Sequence, residues 1–378
     1  KCDWSSDVCS SDLGSWTLQQ QMQAKGSGLW PAAGGYNLFT FGRNYSGELG
    51  QNNRIDRSSP VQVGSGPSWS SASIGYRFVL AVKNNGQLWS WGANNGGKLG
   101  VTGAYSRSSP IQVGALTNWS KVAAGGGSSA AIKTDGTLWA WGYNGSGQLG
   151  QNDVIARSSP VQVGALTNWS NISAGNNFFA ALKSDGTLWT WGRNNQGQLG
   201  QGNTANLSSP VQVGALTTWT AIGCGDSHMG AIKGGQLWMW GDGSFGRLGL
   251  GNTTYYSSPK QVGALTTWRS LSAAIFNTAA VKTDNTMWAF GGNQYYQLPK
   301  VSPYNFNSPV QVGSGFLFSM SLERVTLGVK TDGTLWSAGN GVYGELGTNS
   351  RTLVGTFQQI GSLSTWKSGT TIFGGNES

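Results

Sequence analysis

The chain has little charge, few cysteines and almost no histidine. Charged residues make up only 10% of the 378 positions, and there are 3 cysteines and 1 histidine. This scarcity excludes a disulfide framework and a cysteine-based zinc site. No apolar run approaches the ~18 residues that a membrane-spanning helix requires, so we expect no membrane span. The chain also lacks the Gly-Lys-Ser/Thr ending of a phosphate-binding loop. We therefore predict no catalytic residues, no metal site and no cofactor.

The first thirteen residues differ from the rest of the chain. Residues 2–13, Cys-Asp-Trp-Ser-Ser-Asp-Val-Cys-Ser-Ser-Asp-Leu, resemble the translation of a common sequencing-library adapter. We expect residues 1–13 to be an artefact, so that the true N-terminus is missing and a secretion signal is unobservable. A natural acidic, serine-rich tail is the alternative. Without this segment the formal net charge rises from +9 to +11 and Cys224 is the one remaining cysteine.

What the sequence has in abundance is glycine (60) and tryptophan (19), arranged in a repeat. A phrase close to Asp-Gly-Thr-Leu-Trp-x-Trp-Gly-x-Asn-x-x-Gly-Gln-Leu-Gly recurs six times, with a degraded copy near the start. Successive copies are separated by 50, 50, 50, 49, 50 and 48 residues, measured between the glycines Gly42, Gly92, Gly142, Gly192, Gly241, Gly291 and Gly339. A fixed period of this length indicates one supersecondary unit that is repeated.

One repeat contains four short strands, which we name A to D. In residues 169–213 they are Trp169–Gly175, Phe179–Lys183, Leu188–Gly192 and Ser208–Val213. Each run is short, rich in β-branched or aromatic residues, and bounded by Gly, Pro, Asn or Asp. The Asp-Gly between B and C is a hairpin signal, and proline near the start of D suits an edge strand. Sixteen tryptophans occupy fixed positions in strands A and C, where burial between neighbouring sheets explains them.

Four-stranded units with this period predict an all-β fold, a seven-bladed β-propeller. We expect 14–28 to be a lead-in and 29–378 a single propeller domain. We predict that the C-terminal segment joins the N-terminal blade and closes the ring; Trp16-Thr-Leu is a rival first strand. The predicted blades are 29–63 plus 366–378, 69–113, 119–163, 169–213, 219–262, 268–312 and 316–360.

The repeats resemble those of the regulator of chromosome condensation family. The shared phrases are Trp-x-x-Ile-x-x-Gly, Asp-Gly-x-Leu-Trp-x-Trp-Gly, Asn-x-x-Gly-x-Leu-Gly and Ser-Ser-Pro-x-Gln-Val, and they cover residues 29–378. The resemblance implies a seven-bladed propeller. It implies function only weakly, because the family includes a nucleotide-exchange factor for a small GTPase that docks on chromatin and an inhibitor of β-lactamase. The His of the family phrase Gly-x-x-His-Ser is kept in one copy, as His228, and no blade contains an insertion suited to a GTPase.

The copies differ mainly in two loops. In an antiparallel blade the A–B and C–D loops emerge on one rim, and the B–C and D–A loops on the other. The B–C and D–A loops are nearly constant, whereas the A–B and C–D loops vary and carry Tyr, Phe and Arg, types enriched at interfaces. We predict a binding rim; drift in unconstrained loops is the alternative. Its residues are Tyr76, Arg77, Phe78, Tyr105, Asn176, Asn177, Phe178, Asp226, His228, Tyr255, Tyr256, Phe276, Tyr304, Phe306 and Arg324.

Two further sets of residues suggest other chemistry. Cys224, Asp226 and His228 alternate along an extended segment, so their side chains would point the same way and resemble a nucleophile or metal site. Packing explains them better, because a metal needs more ligands and this is the only histidine. A lysine at the end of each strand B would form an anion-binding ring on the constant rim; solvated lysines beside hairpins are the preferred interpretation. These lysines are Lys83, Lys133, Lys183, Lys233, Lys282 and Lys330.

The sequence therefore predicts a non-enzymatic, monomeric propeller that binds a protein or another macromolecule through the variable rim. Nucleic acid is a less favoured partner. The Asn-, Gly- and Trp-rich composition resembles that of surface or virion-associated propellers, so we expect an adhesion or accessory role in an extracellular, cell-surface or virion location rather than the cytoplasm. The alternatives are an exchange-like regulator of a small GTPase or chromatin-docking protein, and an inhibitor of a secreted enzyme such as a β-lactamase.

Overall fold

The structure, a computed structural model, describes residues 36–66, 68–103, 105–300, 304–366 and 373–374. They belong to one compact unit, Tyr36–Ser378. The predicted artefact (1–13), the lead-in (14–28) and the weak strand B copy at 29–33 lie outside the described residues.

The described residues form an all-β propeller. Strands β1 (Leu38–Gly42) and β2 (Arg57–Val63) come first and are followed by six four-stranded antiparallel sheets, numbered as blades 1 to 6 in chain order. Blade 1 contains β3 (Trp69–Gly75), β4 (Phe78–Lys83), β5 (Leu88–Gly92) and β6 (Arg107–Gln112). Blade 2 contains β7 (Trp119–Ala124), β8 (Ser128–Lys133), β9 (Leu138–Gly142) and β10 (Arg157–Gln162). Blade 3 contains β11 (Trp169–Ala174), β12 (Phe178–Lys183), β13 (Leu188–Gly192) and β14 (Leu207–Gln212).

The second half repeats the pattern. Blade 4 contains β15 (Trp219–Cys224), β16 (His228–Lys233), β17 (Gln236–Gly241) and β18 (Tyr256–Gln261). Blade 5 contains β19 (Trp268–Ala273), β20 (Asn277–Lys282), β21 (Met287–Gly291) and β22 (Phe306–Gly313). Blade 6 contains β23 (Phe316–Ser321), β24 (Val325–Lys330), β25 (Leu335–Asn340) and β26 (Leu353–Gln359). Two 3-10 turns, Asn95–Gly97 and Ser244–Gly246, lie in C–D loops.

The prediction of seven four-stranded blades is wrong. The described residues form six, and the N-terminal sheet has three strands, in the order β2, β1 and β27 (Phe373–Gly374). Strand β27 pairs with β1 in parallel, through Thr40 with Phe373 and Phe41 with Gly374. A strand in the A position of a blade runs parallel to strand C but is separated from it by strand B. Among the described residues, the C-terminal segment therefore joins the N-terminal sheet as predicted, but as strand β27 beside β1 and not as strand A of a complete antiparallel blade.

The recurring Asp-Gly-Thr-Leu-Trp phrase builds a small hydrogen-bonded relay in the B–C hairpin. In blade 2, Asp135 Oδ1 accepts hydrogen bonds from the backbone N–H of Thr137 (2.9 Å) and from its hydroxyl (2.7 Å). The indole N–H of Trp139 donates to the same hydroxyl oxygen (2.9 Å). The same relay occurs in blades 3, 5 and 6. The turn and the tryptophan are therefore repeated together because each satisfies the other's polar groups.

A second tryptophan of strand C joins neighbouring blades. The Trp141 indole N–H donates to the carbonyl oxygen of Lys98 in blade 1 (3.0 Å), and that of Trp191 donates to Gln148 in blade 2 (2.9 Å). Both indoles are fully buried. Each therefore adds a specific hydrogen bond to the large apolar area that it removes from water.

The C–D loop is shaped by the asparagine of the Asn-x-x-Gly phrase. Asn144 Oδ1 accepts a hydrogen bond from the Leu149 backbone N–H (2.8 Å), and its amide donates to the carbonyl oxygens of Asp153 and Ile155 (3.1 and 3.0 Å). The loop then reaches the next blade, where the Asn152 backbone N–H donates to Ser208 (2.7 Å). The equivalent bond from Asn349 to Ser58 (2.7 Å) links blade 6 to the N-terminal sheet.

Candidate functional site

The A–B and C–D loops lie together, as the strand parity predicts. In each four-stranded blade the first residue of the C–D loop donates its backbone N–H to a carbonyl of the A–B loop, for example Ala93 to Arg77 (2.7 Å) and Tyr143 to Gly127 (2.9 Å). Successive A–B loops also bond to each other, with Tyr76 N–H donating to Gly125 (3.0 Å) and Gly126 N–H to Asn176 (2.9 Å). We call this edge the variable rim. Its loops surround the mouth of a channel of about 420 Å3 lined by the six A strands.

The predicted rim residues have different degrees of exposure. Phe78, Phe178 and His228 are fully buried, so the expectation that these side chains reach a partner is wrong. Each begins a strand B, where it packs into the space between blades. Tyr105 and Tyr304 are the most exposed, at 79% and 77%. Asn176 and Tyr255 are also exposed, while the remaining residues are half-buried: Tyr76, Arg77, Asn177, Asp226, Tyr256, Phe276, Phe306 and Arg324.

Cys224, Asp226 and His228 do not form a reactive group. His228 Nε2 lies 3.0 Å from the Thr278 hydroxyl, and Asp226 accepts a hydrogen bond from Ser227 (2.8 Å). Burial lowers the pKa of His228 well below its usual range and raises the pKa of Cys224 to about 12. The imidazole is therefore neutral and the thiol is un-ionised, as expected for packing residues.

A run of alternating cations and tyrosines crosses the variable rim, and only Tyr76 and Arg77 among its members belong to the predicted rim residues. We call it the Tyr–Arg ladder; its members are Tyr343, Arg43, Tyr45, Arg77, Tyr76 and Lys98. The Arg43 guanidinium carbon lies 4.9 Å from the ring centre of Tyr343 and 5.5 Å from that of Tyr45. Arg77 lies 5.2 Å from Tyr45 and 4.9 Å from Tyr76, and Lys98 Nζ lies 5.5 Å from Tyr76. The ladder joins blade 6, the N-terminal sheet and blade 1.

Buried carboxyl groups lie beneath this ladder. Glu48, Glu323 and Glu345 are at most 5% exposed. Burial raises the pKa of Glu323 to about 7 and also raises the pKa of Glu48 and Glu345. Because Glu323 is partly protonated near neutral pH, it neutralises the nearby arginines incompletely. The two arginines and three tyrosines of the ladder therefore present positive charge and aromatic rings together, whereas Lys98 is buried and burial lowers its pKa to about 8.

Other contacts of the same kind occur elsewhere on the rim. Phe245 and Phe276, from blades 4 and 5, meet edge to face with 5.7 Å between ring centres, and Arg247 lies 5.4 Å from the Phe245 ring. Arg324 of blade 6 lies 4.7 Å from the ring of Tyr295 in blade 5. Of these residues the sequence analysis named Phe276 and Arg324. The positions of Arg43, Tyr45, Phe245 and Tyr343 also vary between copies, which is the signal that could have identified them.

Of the six lysines in the possible anion-binding ring on the opposite rim, three are buried, and Lys83, Lys233 and Lys330 are half-buried. Lys133, Lys183 and Lys282 are only 7% exposed, because each lies against two indoles of its own blade. The Lys183 ammonium is 3.6 Å from the ring centre of Trp189 and 5.0 Å from that of Trp169. Burial lowers the pKa of Lys183, and the charge of Asp185 opposes this shift. Cation–π contacts of this kind contribute about 0.5–2 kcal/mol, so these lysines stabilise the fold.

The described part of the chain holds no cluster of three or more His, Cys, Asp or Glu side chains that could bind a metal ion. Within the same residues, no helix is long and apolar enough to span a bilayer.

Comparisons with known proteins agree with this architecture. Solved structures with the same fold include human WBSCR16 (TM-score 0.77, 16% identity, covering 86% of this chain and 94% of that one). Prp20p from Saccharomyces cerevisiae, described with its binding to Gsp1p and histones, matches with a TM-score of 0.77 and 20% identity over 88% of each chain. Yeast RCC1 (Prp20) bound to Kap60 matches at 0.76 and 18% identity, over 97% of this chain and 92% of that one. No curated protein sequence matches. The sequence model of the RCC1-like domain matches residues 37–377. The chain therefore belongs to the RCC1-like domain family.

Proposed function

We propose that this propeller is a non-enzymatic scaffold that binds a protein partner through the variable rim. The observation that carries the proposal is the Tyr–Arg ladder. Tyrosine and arginine are the types that most often dominate binding energy at protein interfaces. Here three cations and three tyrosines are pre-ordered by contacts with one another, which lowers the entropy cost of binding.

The distribution of exposed apolar side chains supports the same rim. Tyr45 (62% exposed), Tyr105, Tyr143, Tyr255 and Tyr304 all project from C–D loops. Exposed apolar residues on the D–A links are single leucines at equivalent positions, including Leu116 and Leu166. Tyrosine gives a large contact area with few rotatable bonds and a hydroxyl for hydrogen bonding, which suits a contact surface.

The related propellers give further support. Prp20p is described as binding Gsp1p and histones, and yeast RCC1 as bound to Kap60. Their low identity to this chain makes protein binding, rather than any one of these partners, the property that we carry over. We further propose that the chain is a monomer and acts outside the cytoplasm, as a surface or virion-associated accessory protein.

The test is a binding measurement on purified protein. A partner captured from extracts of the source organism would be purified, and its affinity compared for the wild type, Tyr45→Ala and Arg77→Ala. Truncation of an interface hot spot costs about 2 kcal/mol, so we expect each change to weaken binding about 30-fold. Leu116→Ala and Leu166→Ala, on the opposite rim, serve as matched controls and should leave the affinity unchanged.

Two results would contradict the proposal. One is full affinity in both rim variants with loss in the leucine variants, which would place the interface on the other rim. The other is accelerated nucleotide release from a small GTPase, measured with a fluorescent guanine nucleotide, which would favour the exchange-like alternative.

A further inference from the structure

Blade 4 departs from the repeat at its B–C hairpin. The Thr-Asp-Gly-Thr of blade 2 is replaced by Gly234-Gly235-Gln236, which is one residue shorter. Lys233 pairs directly with Gln236, and the two glycines between them have φ angles of 54° and 74°. This is the two-residue turn with both central residues left-handed, which glycine adopts without strain. The aspartate and threonine of the relay are therefore absent.

The shorter hairpin changes the surroundings of Trp238. Its buried indole N–H has no hydrogen-bond acceptor in the described part of the chain, whereas the equivalent Trp189 and Trp288 donate to threonine hydroxyls. The Lys233 ammonium lies 5.4 Å from the Trp238 ring centre. In the other five blades the corresponding distance is 3.6 to 4.0 Å. The Trp238 indole is thus less tightly covered by the lysine of its own blade than the equivalent indoles are by theirs.

Trp238 lines a cleft between blades 3 and 4. The cleft volume is about 610 Å3, compared with about 310 Å3 for the equivalent cleft between blades 2 and 3 and about 390 Å3 between blades 4 and 5. A second buried indole, Trp219, also lines it; its N–H has no acceptor among the described residues, as is also the case for Trp169 and Trp268 in the other two clefts. The largest of the three clefts therefore lies beside the irregular hairpin.

The lining of the cleft defines the chemistry of its ligand. It contains no charged side chain; beside the two indoles it has the amides of Gln201 and Gln212, the hydroxyl of Ser258 and the apolar Leu216. Volumes of 300–1,000 Å3 with apolar walls and a few polar groups are typical of small-molecule sites. A neutral ligand is required, because an ionic group would lose its hydration without gaining a charged partner.

We propose that this cleft binds a neutral saccharide. The C–H face of a sugar ring packs on an indole, and its hydroxyls both donate to and accept from amides and hydroxyls. An aliphatic ligand would leave these polar groups unsatisfied. The site is formed by residues 200–202 of the blade 3 C–D loop, Leu216 of a D–A link and strands of blades 3 and 4, so it is separate from the Tyr–Arg ladder, which joins blade 6, the N-terminal sheet and blade 1.

The experiment uses the indole ¹H–¹⁵N resonances of the full chain as the readout. The probes are cellotetraose, maltotetraose, mannotetraose and chitotetraose at millimolar concentration, with hexanol as an aliphatic comparison. The Trp238 resonance is assigned by its loss in Trp238→Phe, which keeps an aromatic ring in the position. We expect at least one tetrasaccharide to shift the Trp238 and Trp219 resonances saturably, and hexanol to shift neither.

A loop replacement and a matched control decide the result. Replacing Gly234-Gly235-Gln236 by Thr-Asp-Gly-Thr restores the relay and should bring Lys233 onto the indole. We expect this variant to resist unfolding at least as well as the wild type but to lose the saccharide-induced shift. Trp89→Phe in blade 1, whose indole N–H also has no acceptor, should bind normally, since Lys83 lies 4.0 Å from that ring. Shifts with hexanol alone, no shift with any tetrasaccharide, or an unchanged shift after loop replacement would each overturn the proposal.

Discussion

At the scale of single residues, Thr137 shows why a hydroxyl recurs at the end of the hairpin turn. Its oxygen accepts from Trp139 while its proton goes to Asp135, at 2.9 and 2.7 Å. Valine has nearly the same shape but can neither donate nor accept a hydrogen bond. We expect Thr137→Val to destabilise the protein by about 1–2 kcal/mol, because Trp139 and Asp135 each lose a hydrogen bond in a partly buried setting. The change is measured as the shift in the urea unfolding midpoint. Thr134→Val, at an exposed position of the same turn, is the control, and equal effects of the two changes would contradict the relay.

A second residue-scale prediction concerns Glu323. Burial raises its pKa to about 7 from 4.5, with Glu345 acting in the same direction and Arg324 and Arg43 opposing. Between these two pH values the unfolded chain ionises the group and the folded chain keeps it protonated, so stability falls as pH rises from about 4.5 to 7 and then levels off. The total loss attributable to this group is at most about 3 kcal/mol.

The amide variant removes this contribution. We expect Glu323→Gln to be more stable than the wild type above pH 7. Between pH 4.5 and 7 its free energy of unfolding should not show the decrease that ionisation of Glu323 causes in the wild type. The free energy of unfolding, measured by urea titration at a series of pH values, provides the comparison. Parallel profiles for the two proteins would show that Glu323 ionises normally in the folded state.

Residue-level prediction from sequence succeeded for repeated positions and failed where side-chain direction mattered. Four strand C indoles, at Trp91, Trp141, Trp191 and Trp240, lie in the core as predicted, whereas the other six are half-buried. Phe78 and Phe178 were assigned to a binding rim because their positions vary, yet both are buried. Variation at a core position reflects repacking between blades as well as drift or binding, and the sequence alone does not distinguish these. The lysine–indole contacts were not predicted, because they depend on the conformations of side chains on neighbouring strands.

At the scale of elements, replacing a turn glycine that lies close to the next blade should destabilise the protein more than replacing one that only allows the chain to turn. Gly147 and Gly164 both have positive φ, at 78° and 61°. A Cβ on Gly147 would lie 2.6 Å from the Ser208 Cα of blade 3, whereas one on Gly164 would have nothing within 4 Å. We expect Gly164→Ala to cost about 1 kcal/mol from backbone strain and Gly147→Ala about 3 kcal/mol, because blades 2 and 3 must also separate. Thermal unfolding of the pair tests this, and similar melting temperatures would argue against a close inter-blade contact.

The strands themselves were well predicted, because hairpin signals and tryptophans mark their ends. The predicted strand Leu188–Gly192 has the same bounds in the structure, and the A strand begins at Trp169 as expected. The spacing of 49 residues between Gly192 and Gly241, one fewer than in most repeats, reflects the shortened Gly234-Gly235 turn. The spacing alone does not predict the change around Trp238, because that change depends on contacts between blades.

At the scale of the whole molecule, the number of complete blades was the main error. Seven copies of strand C are present, and β1 is the first of them, but a copy of one strand does not ensure a complete sheet. Which chain end lies beside β1 is decided by packing at a single junction, and the repeat pattern carries no information about it. At this junction Phe41 stands where blades 1 to 4 have an indole that donates to the preceding sheet, so one inter-sheet hydrogen bond is missing.

The N-terminal sheet should therefore open more readily than the complete blades. Phe41 lacks the indole hydrogen bond that joins β13 of blade 3 to the sheet before it, from Trp191 to Gln148. Phe41 is fully buried and packs with Val325 and Leu346 of blade 6, so we expect local opening rather than loss of the sheet. Hydrogen exchange followed by mass spectrometry should show faster exchange for 38–42 than for the equivalent 188–192, in protein at neutral pH. Equal protection of the two segments would mean that apolar packing at this junction compensates fully for the missing hydrogen bond.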